Sequence, residues 1–412
     1  FFNWWMFSSF LGGLLATLAL VYIQENLGWG LGYGIPTAGL MASLFVFYVG
    51  TPYYRHKVRK TDNPTKEVAR VLVGAFRNRR LELTDRPADL YELDPRHYVV
   101  TGKRRVHHST GFRFLDKAAL KDVSEATGSS WRPCTVTQVE ETKLVLGMAV
   151  VWLTTLVPST IFAQVNTLFV KQGTTLDRHL GAGSFQIPAA SLGSFVTISM
   201  LLSVPLYDRC FVPLMRRRTG NSRGITLLQR LGIGFAIQIL VTLVASLVEM
   251  RRMHVAQANG VGGPKQVVPM SIFWLLPQYV IMGVGDVFNA IGVLEFFYDQ
   301  SPEDMQSLGT TFFTSSIGMG NFLNSLLVTV VDRVTGTHGG KSWIGDNLND
   351  SHLDYYYGFL MAISALNLVG FLWVSRGYHY KEETIEVTEG NTTSAVEMEG
   401  KVLEKPSSNS QV

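Results

Sequence analysis

Asp286 stands near the middle of an apolar stretch running from Val268 to Phe297. An ionised carboxylate at the centre of a membrane helix costs at least about 2.5 to 3.5 kcal/mol on insertion scales, so a residue of this kind needs a reason. Two readings are open: it handles a proton or a substrate, or it pairs with a partner and locks two helices together. Tyr279 lies seven residues before Asp286 and Asn289 three after, spacings that turn all three toward one helix face. Glu295 follows nine residues after Asp286, about 13.5 Å along a helix. That position suits a cytosolic gate or simple solvation. Gln164 and Asn166 are polar residues in another apolar stretch, and either line a substrate cavity or hydrogen-bond a neighbouring helix. Thr311, Thr314, Gly318, Asn321 and Ser325 recur at helical spacing, a pattern that favours close helix packing over a cavity lining.

Competing chemistries are poorly represented. Gly220-Asn221-Ser222-Arg223-Gly224 matches the Gly-x-Ser-x-Gly string of serine hydrolases. It joins two apolar stretches with no strand before it, so it reads as a turn rather than a nucleophile elbow. There is no His-Glu-x-x-His, no phosphate loop and no Cys-x-x-Cys, hence no expected metal site or catalytic residue. His107 and His108 sit among Arg and Lys, a poor setting for a metal.

The elements that must carry these residues are membrane helices. Hydrophobic residues make up 47% of the 412 and charged residues only 17%, an unusual balance for a soluble protein. Runs of roughly 20 apolar residues, the length that crosses a bilayer core, recur along the chain. They predict eight helices, near Trp4 to Gln24, Tyr33 to Pro52, Leu144 to Val170, Phe185 to Leu206, Gly224 to Val248, Val268 to Phe297, Leu308 to Val331 and Tyr355 to Val374. Gly or Pro interrupts the second and sixth, which membrane helices tolerate when neighbours satisfy the freed backbone groups. Trp4, Trp5, Trp29, Tyr53, Tyr54, Tyr355 to Tyr357 and Trp373 fall where interfacial aromatic belts are expected. No histidine falls inside the eight predicted helices.

Charge sets the expected orientation. Half of the 36 Lys and Arg residues lie between Tyr54 and Cys134, beginning Arg55, Lys57, Arg59, Lys60. The short link holding Arg216, Arg217, Arg218, Arg223 and Arg230 falls on the same side if helices alternate, as does the tail from Arg376. Both are placed in the cytosol. The net charge of +4 is therefore a topology signal, and nucleic acid is not an expected partner. Cys134 and Cys210 both fall on the cytosolic side and should stay reduced. The sequon Asn391-Thr392-Thr393 lies in the cytosolic tail, whereas Asn349-Asp350-Ser351 faces outward and is a weak glycosylation candidate. The domain plan has two helices over 1–53, a cytosolic basic linker over 54–141, a six-helix half over 142–376 and a disordered tail over 377–412. Within the linker, Thr65 to Phe76 and Leu115 to Val123 predict short amphipathic helices rather than a folded domain.

A set of motifs adds a resemblance. Phe1-Phe2-Asn3-Trp4-Trp5, Val21-Tyr22-Ile23-Gln24-Glu25-Asn26, Gly28-Trp29-Gly30 and Gly32-Tyr33-Gly34-Ile35-Pro36 resemble the fifth and sixth helices of the plant nitrate and peptide transporter family. That family belongs to the proton-dependent oligopeptide transporters of the major facilitator superfamily. Gly50-Thr51-Pro52-Tyr53-Tyr54-Arg55, Phe114-Leu115-Asp116-Lys117-Ala118-Ala119, Thr137-Gln138-Val139-Glu140-Glu141, Gln172-Gly173-Thr174-Thr175-Leu176-Asp177-Arg178, Leu228-Gln229-Arg230-Leu231-Gly232 and Leu294-Glu295-Phe296-Phe297 extend the match to about Tyr380. One departure is Phe10 before Leu11-Gly12, where the family has Asn.

The resemblance implies an all-α membrane protein of the major facilitator fold, with eight helices equivalent to the fifth to twelfth of that plan. The family's first helix, with its acidic Glu-x-x-Glu-Arg motif, and the lysine of its fourth are expected to be missing, so the chain reads as N-terminally incomplete. The resemblance also implies that Asp286 matches the family's acidic residue that pairs with that lysine and separates from it during transport.

The first functional expectation is a proton-coupled symporter of nitrate, small peptides or related solutes, plant hormones and glycosides included. No cofactor is expected, only the proton as coupling ion. The expected partners are a small-molecule or peptide substrate and the lipid bilayer, with self-association left open. The plasma membrane and the vacuolar membrane are the candidate locations. The alternative is a transport-inactive short form that acts as a membrane interaction partner, with its first two helices loosely associated. A multi-pass membrane enzyme is a third class, and no catalytic constellation supports it.

Overall fold

The computed structural model describes residues 2–54, 64–81, 90–94, 108–121, 133–180, 186–220, 224–264, 266–302, 305–337, 342–378 and 380. The tail from 381, with the sequon at Asn391, lies outside the described residues, as do Arg55, Lys57, Arg59, Lys60, His107 and Arg223. Eight helical stretches among the described residues are long and apolar enough to cross a membrane. The predicted spans are all present, and most are longer than predicted because polar end turns continue the helix beyond the apolar window.

The first two spans are α1 (Phe2–Asn26) and α2 (Trp29–Gly50). The amphipathic α3 covers Pro64–Arg77. The third span, Val136–Thr174, is built from α4 (Val136–Phe162), a short 3-10 turn over Ala163–Asn166 and α5 (Leu168–Thr174). The fourth, Ala189–Thr219, contains α6 (Gly193–Leu206), a π-turn over Tyr207–Phe211 and α7 (Val212–Thr219). The fifth is the single helix α8 (Leu227–Ala258). The sixth, Ile272–Gln300, contains α9 (Leu276–Phe288) and α10 (Ala290–Gln300), and the seventh and eighth are α11 (Gln306–Gly336) and α12 (Leu353–Arg376).

Local chemistry explains the link between the fourth and fifth spans. Gly220 closes α7 at φ +71° and Gly224 follows at +82°, backbone conformations open to glycine but strained for other residues. Thr226 then caps α8 by accepting from the Gln229 amide, and Gln229 returns the bond to the Thr226 amide, a capping box that fixes where the helix starts. The described ends of the Gly-x-Ser-x-Gly string are turn residues, with 221–223 outside the described set.

The chain divides into two compact units, Phe1–Arg70 with Glu141–Tyr378, and Val71–Glu140 with His379–Val412. In the first unit α8 packs along α12, α9 packs between α6 and α8, and α10 packs on α11. Phe169, Tyr279 and Tyr357 sit at the centre of the core, with edge-on ring contacts of 5.5 and 5.7 Å. Two strands of a few residues, β1 (Leu176–Asp177) and β2 (Val268–Ser271), pair in parallel at one end of the bundle.

Three expectations are corrected here. The first two spans are not equally loose: α1 packs on α6 and α10 and buries Met6, whereas the main partner of α2 is α1, and Phe45 and Tyr48 of α2 are 71% and 82% exposed. The small-residue stripe that packs α11 is not the predicted one. Thr311, Thr314, Gly318, Asn321 and Ser325 are exposed, while Gly309 meets the Phe297 carbonyl and Gly320 meets Ser159. Helical periodicity located the small residues, but only the neighbouring helices select which face they cover.

The third correction concerns the linker. Val71, Ala75, Leu90, Leu115, Ala118, Ala119, Cys134 and Val139 are buried. Leu90 and Leu120 form an antiparallel bridge, and the predicted helix at Leu115 is a 3-10 helix over Arg113–Ala119. The linker stretch thus carries buried apolar residues and a backbone bridge, and falls in a compact unit.

Candidate functional site

The sixth span places Asp286 one turn before a break. Asn289, between α9 and α10, has φ −80° and ψ −69°, and the helical ladder continues around it through Asn289 N to Gly285 O (2.9 Å) and Val293 N to Asn289 O (2.7 Å). The span runs on past the break. Small residues let its neighbours close in. A Cβ on Gly283 would strike the Val196 carbonyl of α6, and one on Gly234 of α8 would lie 2.9 Å from the Asn289 nitrogen.

Asp286, Tyr279 and Asn289 are all buried, at 2%, 0% and 6% exposure. Asp286 Oδ2, Asn289 Oδ1 and Tyr279 Oη have no hydrogen-bond partner among the described residues. Buried polar atoms are ordinarily paired, so three unpaired ones along a single span are unusual. Gln238 of α8 belongs with them. It is 1% exposed, both of its amide atoms lack partners, and its Nε2 lies 3.8 Å from where a Cβ on Gly285 would stand. The sequence reading passed over Gln238, although a glutamine inside a long apolar run is itself a signal.

The other candidates are placed differently. Gln164 is buried and its Nε2 donates to Asn324 Oδ1 of α11 (2.7 Å) and to Thr160 O (3.1 Å), so its amide nitrogen ties two helices. Asn166 is exposed on the 3-10 turn. Glu295 is not simply solvated: its Oε2 accepts from Arg230 Nη1 at 2.7 Å, and the arginine side chain is 4% exposed. Arg230, counted above among the topology charges, lies inside the bundle.

A second polar cluster escaped the sequence reading because α8 was expected to stop at Val248. It continues to Ala258, which also brings His254 into a span. Glu249 and Arg252 are fully buried and joined by two bonds, Nη2 to Oε1 at 2.6 Å and Nε to Oε2 at 2.9 Å. Gln172 Nε2 donates to Glu249 at 2.7 Å, and Gln278 Nε2 to Gln172 at 3.2 Å. Arg252 also donates to the Leu348 carbonyl and to Asn349 Oδ1, both at 2.7 Å. Asn349 Nδ2 in turn donates to the carbonyls of Gly263 and Gln266. Asn349, in the sequon expected to face outward, is thus committed to internal bonding, which argues against its glycosylation.

In the second unit His108, Asp116 and Glu140 offer ligand atoms within 4.8 Å of one another. Folding therefore gives His108 a more acidic setting than its basic sequence neighbours imply. His108 Nε2 contacts Asp116 Oδ2 at 3.0 Å, and Glu140 accepts from Ser109 N and Oγ. In the first unit an open depression of about 590 Å³ lies between the third and seventh spans, lined in part by Lys171, Asp332 and Arg333. It contains none of the predicted site residues.

The POT family model matches residues 1–344. Protein NRT1/ PTR FAMILY 5.1 of Arabidopsis thaliana is 65% identical over 98% of this chain and 68% of its own length. NRT1/ PTR FAMILY 5.2 of the same plant is 49% identical over 97% and 67%. The chain thus spans about two thirds of the length of these relatives. Among solved structures, an auto inhibited POT family peptide transporter matches with a TM-score of 0.60 at 18% identity, covering 92% of this chain and 71% of that one. The POT family transporter PepTSo gives 0.58 at 18%, over 90% and 69%. At that identity the structural likeness speaks to the fold, an all-α multi-pass membrane fold of the major facilitator type. A family match over most of the chain and a relative 65% identical along nearly its whole length leave one assignment, among transporters and not among enzymes: the chain belongs to the POT family.

Proposed function

We propose that this chain works in a proton-coupled secondary carrier for nitrate, short peptides or related small polar solutes. One observation carries the reading. A carboxylate that is 2% exposed sits beside the break of a membrane span, with polar atoms unpaired among the described residues on Asn289 one turn on, on Gln238 of the facing helix and on Tyr279 two turns earlier. Burying an unpaired ionised acid is costly, so such a group takes up a proton or a cationic partner when it is buried and gives it up when it is exposed. That is the property a coupling residue needs. The neighbouring amide and hydroxyl groups are suited to a polar solute or ordered water. The names of the relatives and the peptide transporters among the solved structures support the solute class. Orientation follows the Lys and Arg distribution, with the basic linker in the cytosol.

The test is uptake into proteoliposomes holding the purified chain, with an imposed inward proton gradient and labelled nitrate or dipeptide. Saturable uptake that collapses with a protonophore and is lost in Asp286→Asn is expected. Gradient-driven uptake that is the same in the Asn variant overturns the role given to Asp286, and the absence of uptake by the native chain overturns the carrier reading for this chain.

A further inference from the structure

We propose that Arg230 is a positioning residue for the Asp286 helix, a clamp whose single guanidinium holds both sides of the break at Asn289. The role in transport rests on the carrier reading above; the clamp itself does not. Arg230 Nη1 donates to Glu295 Oε2 on α10 at 2.7 Å, and Nη2 donates to the Val287 carbonyl on α9 at 2.8 Å. These two acceptors lie on opposite sides of Asn289. A planar fork with fixed donor directions can hold two such acceptors at a set separation, which a single ammonium cannot do.

The surroundings are shaped to seat that group. Arg230 is 3% exposed, and its guanidinium lies 4.4 Å from the ring centre of Tyr207 on the π-turn. Phe211 and Phe288 pack on Tyr207 at 5.3 Å each, so the arginine rests on an aromatic platform that itself touches the end of α9. Gly292, one turn past the break, meets the Arg230 stem, and Gly234, one turn further along α8, meets the backbone of Asn289. A larger residue at Gly234 would press α8 away from the break, and one at Gly292 would crowd the Arg230 and Leu231 side chains.

The same guanidinium also senses α1. Nη2 donates to Asn3 Oδ1 at 3.1 Å, and Asn3 Nδ2 donates to Asp208 Oδ1 at 2.6 Å. The docking of α1 and the geometry of the span at Asn289 are thus held by one group. Withdrawing Asn3 removes a partner from the nitrogen that holds Val287, and loosening the pair with Glu295 frees α10 to swing relative to Asp286.

Hydrogen exchange of the purified chain in lipid nanodiscs tests the clamp without any need for transport. In Arg230→Gln the amides of Gly292 to Glu295 should exchange roughly tenfold faster or more, while those of α12 stay unchanged. Arg230→Lys keeps the charge beside Glu295 and should still exchange faster than native, because it cannot serve both acceptors. The swap Arg230→Glu with Glu295→Arg restores the ion pair but not the bond to Val287, and should stay fast. Native exchange in the Lys variant or in the swap overturns the clamp, as does unchanged exchange in Arg230→Gln. Should Arg230→Gln fail to fold, the Lys variant and Asn3→Ala decide: faster exchange confined to the break in both supports the clamp, and native rates in both overturn it. In the uptake assay the Lys variant should change the maximal rate and its pH profile more than the KM. A native chain that does not transport but whose break loosens in Arg230→Lys sinks the carrier reading and leaves the clamp standing.

Discussion

Glu249 and Asp286 are both carboxylates buried in the same compact unit, at 0% and 2% exposure, yet their surroundings differ completely. Glu249 receives two bonds from Arg252 and one from Gln172, and Arg252 reaches on to Leu348 and Asn349. Asp286 has an oxygen with no partner among the described residues, and Asn289 one turn on and Tyr279 two turns earlier in the same span are in the same condition. A saturated buried charge has one low-energy arrangement and acts as a rivet. An unsaturated one has a cost that a proton, a cation or a moving helix can relieve. The first belongs to the frame, and the second is the group that the proposed carrier reading makes the working part.

Breaking the rivet should have the largest effect. Arg252→Ala strands Glu249 in an apolar interior, and the loss in stability should be about 3–5 kcal/mol. Thermal unfolding in detergent, followed by tryptophan fluorescence, measures it. Replacing both partners, Glu249→Leu with Arg252→Met, should recover most of that loss, because no charge is then left buried. A double variant as unstable as the single one would mean that packing, not charge, is the source.

Gln172→Leu comes next. It removes one bond to Glu249 and the acceptor of Gln278, and should cost roughly 1–3 kcal/mol in the same assay. Asp286→Asn should cost less than about 1 kcal/mol, since no formed ion pair is lost, while abolishing gradient-driven uptake. Stability unchanged with uptake lost is the signature that separates this acid from Glu249. If Asp286→Asn were as destabilising as Arg252→Ala, the contrast between the two sites would fail.

The smallest effect belongs to an exposed pair. Asp177, the last residue of β1, is held below its ordinary carboxylate value of 3.8 by the side-chain and backbone hydrogen bonds it accepts from His179. A lowered acid contributes stability above its unfolded value and loses it as the pH falls through the folded one. Asp177→Asn should therefore leave the melting temperature nearly unchanged at pH 7, and should remove a slight acid sensitivity that begins below pH 4.

The eight spans were readable because bilayer-length apolar runs leave few alternatives: a backbone in lipid must satisfy its own hydrogen bonds, so long apolar runs become helices. Asp286 stood out for the same reason, since a charge inside such a run is conspicuous. Other features had no local signal. Arg230 looked like one more residue of a basic link, and only the fold shows it inside the bundle, stacked on Tyr207 and bonded across a break between Val287 and Glu295. Glu249 and Arg252 fell just past the expected helix end, where loss of hydropathy resembled a terminus although the helix continued for several residues.

The residue pattern alone determined the membrane class, the number and order of spans, and the existence of an acid at the centre of the sixth. Those are consequences of hydropathy and period, which act along the chain. The tertiary structure decided which face of α11 packs, that α1 docks while α2 stands apart, and which buried charges are paired. Each of these depends on what comes within about 3 to 4 Å of a side chain from distant parts of the sequence, where hydrogen bonds and van der Waals contacts take effect.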